Sequence, residues 1–231
     1  MPLTQSLSLE HVVTTLSGTL TEEHAWAILY QGITKLHEVS TESCYLLKGL
    51  GDLLLTGDGR VHQDSFLEEN TTRGVRRPPM SSFSTGIAEL GVIVFEALDW
   101  GVPQGMSRQL SGELEALIDM MVSADDQDQE DEGISIGEEE MFSSLCRKIA
   151  QSCRRHHSPV ICLVFLILCV LILSVQLKSV DAEAYYRQVC QDLVEQVTDI
   201  SSLMKKLNLK DWRDLDTEED SKKLRATFSE V

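Results

Sequence analysis

Apolar residues recur at intervals of three and four along much of the chain, a spacing that predicts a mainly helical protein. Trp26, Leu29, Ile33 and Leu36 form the first clear stripe. Thr21 stands ahead of it as a side-chain cap, and Glu22 and Glu23 lie where a helix dipole is positive. Ile87, Leu90, Val94 and Leu98 form a second stripe, opened by Ser84 and stopped by Gly101 and Pro103. Ser111 caps a third, with Leu114, Leu117, Ile118 and Met121 inward. Met141, Leu145 and Ile149 predict a basic amphipathic helix over 139–155. Tyr185, Val189, Leu193, Val197, Ile200, Met204 and Leu207 predict a last one. Trp26, Leu29, Phe95, Leu98 and Trp100 are the expected core, being large apolar residues among apolar neighbours.

Two departures from the helical pattern stand out. Leu53-Leu54-Leu55, the turn residues Thr56-Gly57-Asp58-Gly59 and then Arg60-Val61-His62 predict a short β-hairpin, since Asp-Gly between apolar runs suits a tight turn. Further on, no charge occurs from His156 to Leu177, a run of 22 residues. Its apolar centre at 158–177 is long enough to span a bilayer as a helix. Arg147, Lys148, Arg154 and Arg155 precede it, so a membrane-spanning reading keeps the N-terminal part cytosolic and carries the last 50 residues across. Such a reading conflicts with packing of the 185–207 helix on the rest of the fold.

Charge divides the chain in the same places. Net charge is −17, from 37 acids and 20 bases. Residues 1–140 alone hold 25 acids against 7 bases, whereas 141–180 hold 5 bases and no acid. This balance argues against nucleic acid as a main partner and favours a basic one. Residues 123–140 are so acidic that they predict a mobile loop, and 208–231 a charged tail. The first 30 residues lack the basic start and apolar core of a secretion signal, which predicts a cytosolic N-terminal block. Six cysteines (Cys44, Cys146, Cys153, Cys162, Cys169 and Cys190) then read as reduced thiols. Cys146, Cys153, His156 and His157 lack the spacing of a zinc site, and no cofactor is expected.

The hairpin Asp52–Phe66 resembles the stretch between the catalytic and metal-binding loops of a protein kinase, and Ser84–Leu98 resembles the central helix of its C-lobe. The catalytic parts are missing. No Gly-rich loop or Val-Ala-Ile-Lys strand exists, Cys44-Tyr-Leu-Leu-Lys48 stands where His-Arg-Asp belongs, and Asp64-Ser65-Phe66 replaces Asp-Phe-Gly. Phosphoryl transfer needs a phosphate cradle, a metal-holding carboxylate and a base, and only Asp64 could fill any of these roles. The chain therefore reads as no enzyme.

One family combines these features: the chain resembles the kinase non-catalytic C-lobe domain, or KIND, of Spire-type actin nucleators. The resemblance is carried by Leu9-Glu10, by Leu20-Thr-Glu-Glu-His-Ala-Trp-Ala-Ile-Leu-Tyr-Gln31 and by the hairpin. It continues in Leu90–Gly101, with its Ala-Leu-Asp-Trp-Gly ending, in Glu113–Met121, in the acidic residues Asp131-Glu-Gly133 and Glu138–Glu140, and in Tyr185–Cys190 onward. It covers about residues 7–153 and 184–207, with the apolar run as an interruption. The implied architecture is a mainly α, kinase C-lobe-like helical domain with a short β-hairpin over 7–155, completed by 181–207, with a long apolar helix inserted at 158–177.

The resemblance implies a docking module whose acidic groove takes the basic C-terminal peptide of a formin. The expected results are actin filament nucleation and actin-dependent vesicle transport in the cytoplasm, at the cytoskeleton, cell cortex or vesicle membranes. Actin itself would be reached indirectly, because Leu207-Asn-Leu-Lys and Lys222-Lys-Leu-Arg are too short for actin-binding motifs. The tandem actin-binding repeats and zinc-finger module of Spire proteins are not in this sequence, so it reads as a short form or a piece. Candidate groove residues are Glu113, Glu115, Asp119, Met120, Asp125 and Asp126. Asp119 and Met120 are placed there by resemblance. The alternative is a single-pass membrane-anchored acidic adaptor with an unrelated cytosolic partner.

Overall fold

A computed structural model describes residues 6–16, 20–40, 44–67, 79–80, 82–102, 108–124, 137, 139–152 and 182–207. Its helices, in chain order, are α1 (Leu9–Thr15), α2 (Glu22–Val39), α3 (Phe83–Asp99), α4 (Gly112–Val122), α5 (139–152) and α6 (Ala182–Leu207). A two-stranded antiparallel sheet pairs β1 (Leu7–Ser8) with β2 (Leu54–Leu55), and Gln63–Ser65 forms one 3₁₀ turn. The fold is thus mainly helical, as the apolar spacing predicts.

Local chemistry starts each helix. Ser8, Thr21, Ser82 and Ser111 each accept a backbone N–H of the first turn through the side-chain hydroxyl, satisfying a donor the helix itself leaves unpaired. Ser82 opens α3, two residues before the expected Ser84. Ser84 is buried inside the first turn, its hydroxyl 2.6 Å from that of Ser82. At the other end Gly101, with φ +79°, turns the chain out of α3.

α2 is the central element. It packs against α3 on one side and α6 on the other; α3 in turn carries α4, and α1 packs on α6. Ala25, Trp26, Leu29, Ile33 and Leu36 of α2 meet Leu90, Val94 and Leu98 of α3 and Tyr186, Leu193 and Val197 of α6 in one core. α5 docks on the last turn of α2, where the His37 ring stacks on Phe142 at 3.9 Å between centroids.

The tight turn is present, but its strand has an additional partner. His62 N–H donates to the Leu54 carbonyl at 2.8 Å, Thr56 N–H to that of Arg60 at 2.9 Å, and Leu55 bridges Val61. On its other edge β2 pairs with β1, from the start of the domain, in the register Leu7–Leu55 and Ser8–Leu54. Gly59, at φ +78°, seats this turn on α6: a Cβ there would lie 2.0 Å from the Arg187 carbonyl oxygen.

Two expected core residues lie outside the core. Phe95 is 49% exposed and Trp100 is 40% exposed. Gly91-Val-Ile-Val-Phe95 is apolar through more than a full turn, so at 100° per residue it cannot all face inward. Ile93 and Val94 take the core, leaving Val92 and Phe95 outside. Trp100 stands one residue past α3, where the chain turns away. Trp26, Leu29 and Leu98 are buried as expected. On α6 the buried stripe runs through Tyr186, Cys190, Leu193, Val194 and Val197, rotated by one position from Tyr185 and Val189.

The apolar run 158–177 lies outside the described residues, and among the described residues no helix is long and apolar enough to cross a membrane. The two flanks of that run bear directly on topology. Tyr186 of α6 donates its hydroxyl hydrogen to the Ile149 carbonyl of α5 at 3.1 Å, and both residues are buried in the same core. Helices that flank the run and share one core lie on one side of any membrane. A single crossing by 158–177 that carries the last 50 residues across is therefore contradicted.

Two predictions follow from this packing. Gly59→Ala should lower stability by about 2–4 kcal/mol in urea unfolding, from left-handed backbone strain plus collision with α6; a loss below about 1 kcal/mol would show that the turn is not seated there. The second concerns His24, whose Nδ1 accepts the Thr21 N–H at 3.2 Å while its own N–H donates to the Thr21 hydroxyl. Burial lowers its pKa from the usual 6.5, and the Glu23 charge opposes this in part. The folded state thus holds fewer protons than the unfolded state. The stability contributed by the neutral ring is complete above pH 6.5 and is lost as pH falls through the lower folded value. Thermal melts on lowering pH should lose Tm faster for the wild type than for His24→Gln, which keeps a capping acceptor and does not titrate. Parallel profiles would contradict this.

Candidate functional site

The acidic candidates on α4 do not share one face. Glu115 and Asp119 are one turn apart and both exposed. Glu113 and Met120 lie seven residues apart on a separate stripe, about 100–120° around the axis from Asp119. Leu114, Leu117, Ile118 and Met121 fill the buried side.

What lies beside each stripe is set by the close contact of α3 and α4. A Cβ on Gly91 would come 3.2 Å from Met121 Cβ, 3.6 Å from Val122 Cγ2 and 3.8 Å from the Ile118 carbonyl oxygen. Gly91 is therefore the residue across which the two helices approach, and they run antiparallel, since Gly91 meets Met121 while Leu98, further along α3, meets Arg108 ahead of α4. With that register, helical periodicity brings Glu115, Asp119 and Val122 to the same side as Val92 and Phe95. Val92 is 37% exposed and Val122 41% exposed, so with Phe95 they form an apolar strip open to solvent. Glu96 and Asp99 of α3 are exposed on the same stripe as Val92 and Phe95. The result is a seam in which apolar residues lie among carboxylates from both helices.

The Glu113–Met120 stripe faces different surroundings. Met120 is half-buried, and its sulfur lies 3.0 Å from Lys148 Nζ of α5. Together with Ile87, Met121, Ala124, Met141 and Leu145 it lines a cavity of about 180 Å³ between α3, α4 and α5. The Glu140 carboxylate also lines this cavity, and Lys148 reaches Met120 from outside it, so charges of both signs meet on this flank. Asp125 and Asp126 lie outside the described residues.

The start of α4 is fixed from the far side of the core. Glu22 accepts the Ser111 N–H at 2.8 Å, and Arg108 donates to the Leu98 carbonyl at 2.7 Å and also to that of Leu20. These bonds hold both ends of the connection between α3 and α4, so the seam is built on rigid helices. Glu115 and Asp119, candidates from the sequence, are exposed on α4, and Val92, Phe95 and Val122 lie on the surface without being expected there. Four consecutive apolar residues on α3 were the available signal.

The kinase-like segment plays a structural part. Ser65, at the position of the Asp-Phe-Gly aromatic, is buried, and its Oγ accepts the Leu54 N–H at 3.0 Å. The Phe66 ring is buried, and its carbonyl accepts the Tyr45 N–H at 2.7 Å. Asp64 sits beside His62, with 3.4 Å between Oδ2 and Nδ1. Among the described residues no cluster of His, Cys, Asp and Glu is arranged to hold a metal ion. Burial raises the Cys146 thiol to about 11 and the Cys190 thiol to about 12, so both stay protonated and unreactive near neutral pH. Cys153, His156 and His157 lie outside the described residues.

Comparison with known proteins agrees with this reading of the fold. The family profile of the kinase non-catalytic C-lobe domain, KIND, matches residues 7–205. Human protein spire homolog 2 is 39% identical over 139 residues, 58% of this chain and 19% of its own length. The mouse protein of the same name is 32% identical over 206 residues, 86% of this chain and 26% of its own length. Zebrafish (Danio rerio) protein spire homolog 1 is 30% identical over 213 residues, 88% of this chain and 26% of its own length. The chain thus spans between a fifth and about a quarter of the relatives it matches. With a family match across nearly all of its helices and relatives of one kind, the chain belongs to the kinase non-catalytic C-lobe (KIND) domain family, in its Spire-type form.

Proposed function

We propose that the chain is a non-catalytic docking module that takes a short basic segment from the C-terminal tail of a formin along the α3–α4 seam. Glu115 and Asp119 draw lysine and arginine side chains, and Val92, Phe95 and Val122 receive apolar residues between them. The observation that carries this reading is the coincidence of exposed apolar residues with carboxylates from both helices. An acidic surface alone would be ordinary solvation, but apolar residues exposed together beside it favour a binding surface. Through a formin the module would promote actin filament nucleation and feed actin-dependent vesicle transport. It would act on actin at one remove and needs no cofactor.

The surface supports this on magnitude as well. Isolated surface ion pairs contribute little, roughly 0–1 kcal/mol. Long-range attraction from a strongly acidic domain mainly speeds encounter and selects for positive charge. Affinity then depends on the apolar strip, where burying one aromatic side chain contributes on the order of 1.5–3 kcal/mol.

The test is binding of a lysine-rich formin-tail peptide to the full chain. Affinity should fall as salt is raised, since the carboxylates of the seam are solvent-exposed. Asp119→Lys should weaken binding by about tenfold, and Phe95→Ala by a similar factor. Glu113→Lys should change it less than about twofold, because Glu113 is on the other stripe. Equal losses from Glu113→Lys and Asp119→Lys would mean that the field acts without a seam. Full affinity in Phe95→Ala would remove the apolar strip from the mechanism.

A further inference from the structure

Beyond the match, which ends at residue 205, the sequence holds a segment of unusual composition for so acidic a chain. Ser221-Lys-Lys-Leu-Arg-Ala-Thr-Phe-Ser229 has three bases and no acid, with Leu224 and Phe228 placed among them. Acids flank it on both sides, at Asp220 and Glu230, and separate it from the other bases beyond the match, Lys206, Lys210 and Arg213. Its chemistry is the complement of the seam: cations for Glu115, Asp119, Glu96 and Asp99, and two apolar side chains for the strip around Phe95.

We propose that this segment, Lys222–Phe228, occupies the α3–α4 seam of its own chain and competes there with basic peptides from partners. This inference rests on the docking function proposed for the seam and adds a means of regulating it.

Reach permits the contact. Fourteen residues separate Leu207, the end of α6, from Lys222. Extended, they span up to about 50 Å, which exceeds the roughly 40 Å width of a compact body of this size. Occupancy follows from tethering. A linker of this length presents the segment at an effective concentration of about 1 mM, enough to half-fill a site whose intrinsic affinity is only millimolar. A partner peptide must displace it, so its apparent affinity falls by the fraction of seams already filled. The three bases and two apolar residues are fewer contacts than a longer partner peptide can make, which keeps the block reversible.

The experiment compares the full chain with its K222E/K223E/R225E variant, a change confined to residues outside every described helix. Two probes are titrated into each: a synthetic peptide of residues 221–229, and the lysine-rich formin-tail peptide. Both should bind the variant about 2–10-fold more tightly than the wild type. Adding Asp119→Lys to the variant should abolish the gain for both. Backbone amide signals of Phe95, Asp119 and Val122 should also differ between wild type and variant before any probe is added. Equal affinity of the formin peptide for both chains, with unchanged amide signals, overturns self-occupation and leaves the docking function standing. Binding of the 221–229 peptide alone, tighter to the variant, supports self-occupation and removes the formin reading. An affinity difference that grows with protein concentration overturns the intrachain contact, because it places the segment on a second copy.

Discussion

The docking of α6 onto α2 is the constraint on which the rest depends. It joins residues separated by more than 140 positions: Tyr186 stacks with Tyr30 at 5.5 Å, and the Tyr185 hydroxyl donates to Glu23. The turn at Gly59 rests on its backbone, and His11 of α1 lies 3.2 Å from the Ser201 hydroxyl. Without α6 the outer face of α2 would lose its cover, and α1 would lose the helix it packs on most. α2 is the support for α3, and α3 for α4, so the geometry of the seam is set at second hand by a helix on the opposite side of the core. The same docking puts the two flanks of the apolar run, α5 and α6, on one side of any membrane. Two helices that share a core and a hydrogen bond cannot be on opposite sides of a bilayer, however hydrophobic the residues between them.

The seam owes its character to a glycine. Because Gly91 has no side chain, α4 comes close enough for its backbone and the Cβ of Met121 to lie against α3. That tight crossing buries Ile118 and Met121 and leaves the next positions around each helix facing out together. A larger residue at 91 would part the helices and open the space between Phe95 and Val122. Acidic side chains then cost nothing in packing, since Glu115 and Asp119 point to water. The apolar strip is the part that burial does not account for: Val92, Phe95 and Val122 stay exposed in the free protein.

Much of this was legible in the residues alone. Most helix positions follow from apolar spacing, and two of the four side-chain caps, Thr21 and Ser111, stand where the sequence puts them. The cap of α3 was misplaced by two residues because Ser82 and Ser84 are equally plausible in a serine-rich approach, and only the path of the chain separates them. Phe95 could not be placed correctly by periodicity, since α3 is apolar on nearly every side and its contact face is decided by where α2 and α4 lie. Trp100 was misjudged for a related reason: large apolar side chains are usually buried, but this one follows the helix end. The splitting of Glu113 and Met120 from Glu115 and Asp119 was available from helical angles. Its meaning was not, because it depends on Lys148 arriving from α5. The pairing of β1 with β2 was likewise out of reach, since two-residue strands leave no periodic trace.

The central claim is that one face of this KIND domain, the seam between α3 and α4, receives a basic segment. Amide hydrogen exchange with and without a bound lysine-rich peptide tests it most directly, since it reports position as well as occupancy. The account predicts slowed exchange in the second half of α3 and along α4, with α5 unchanged. Protection centred on α5 and the cavity beside Met120, with α3 unaffected, would contradict it.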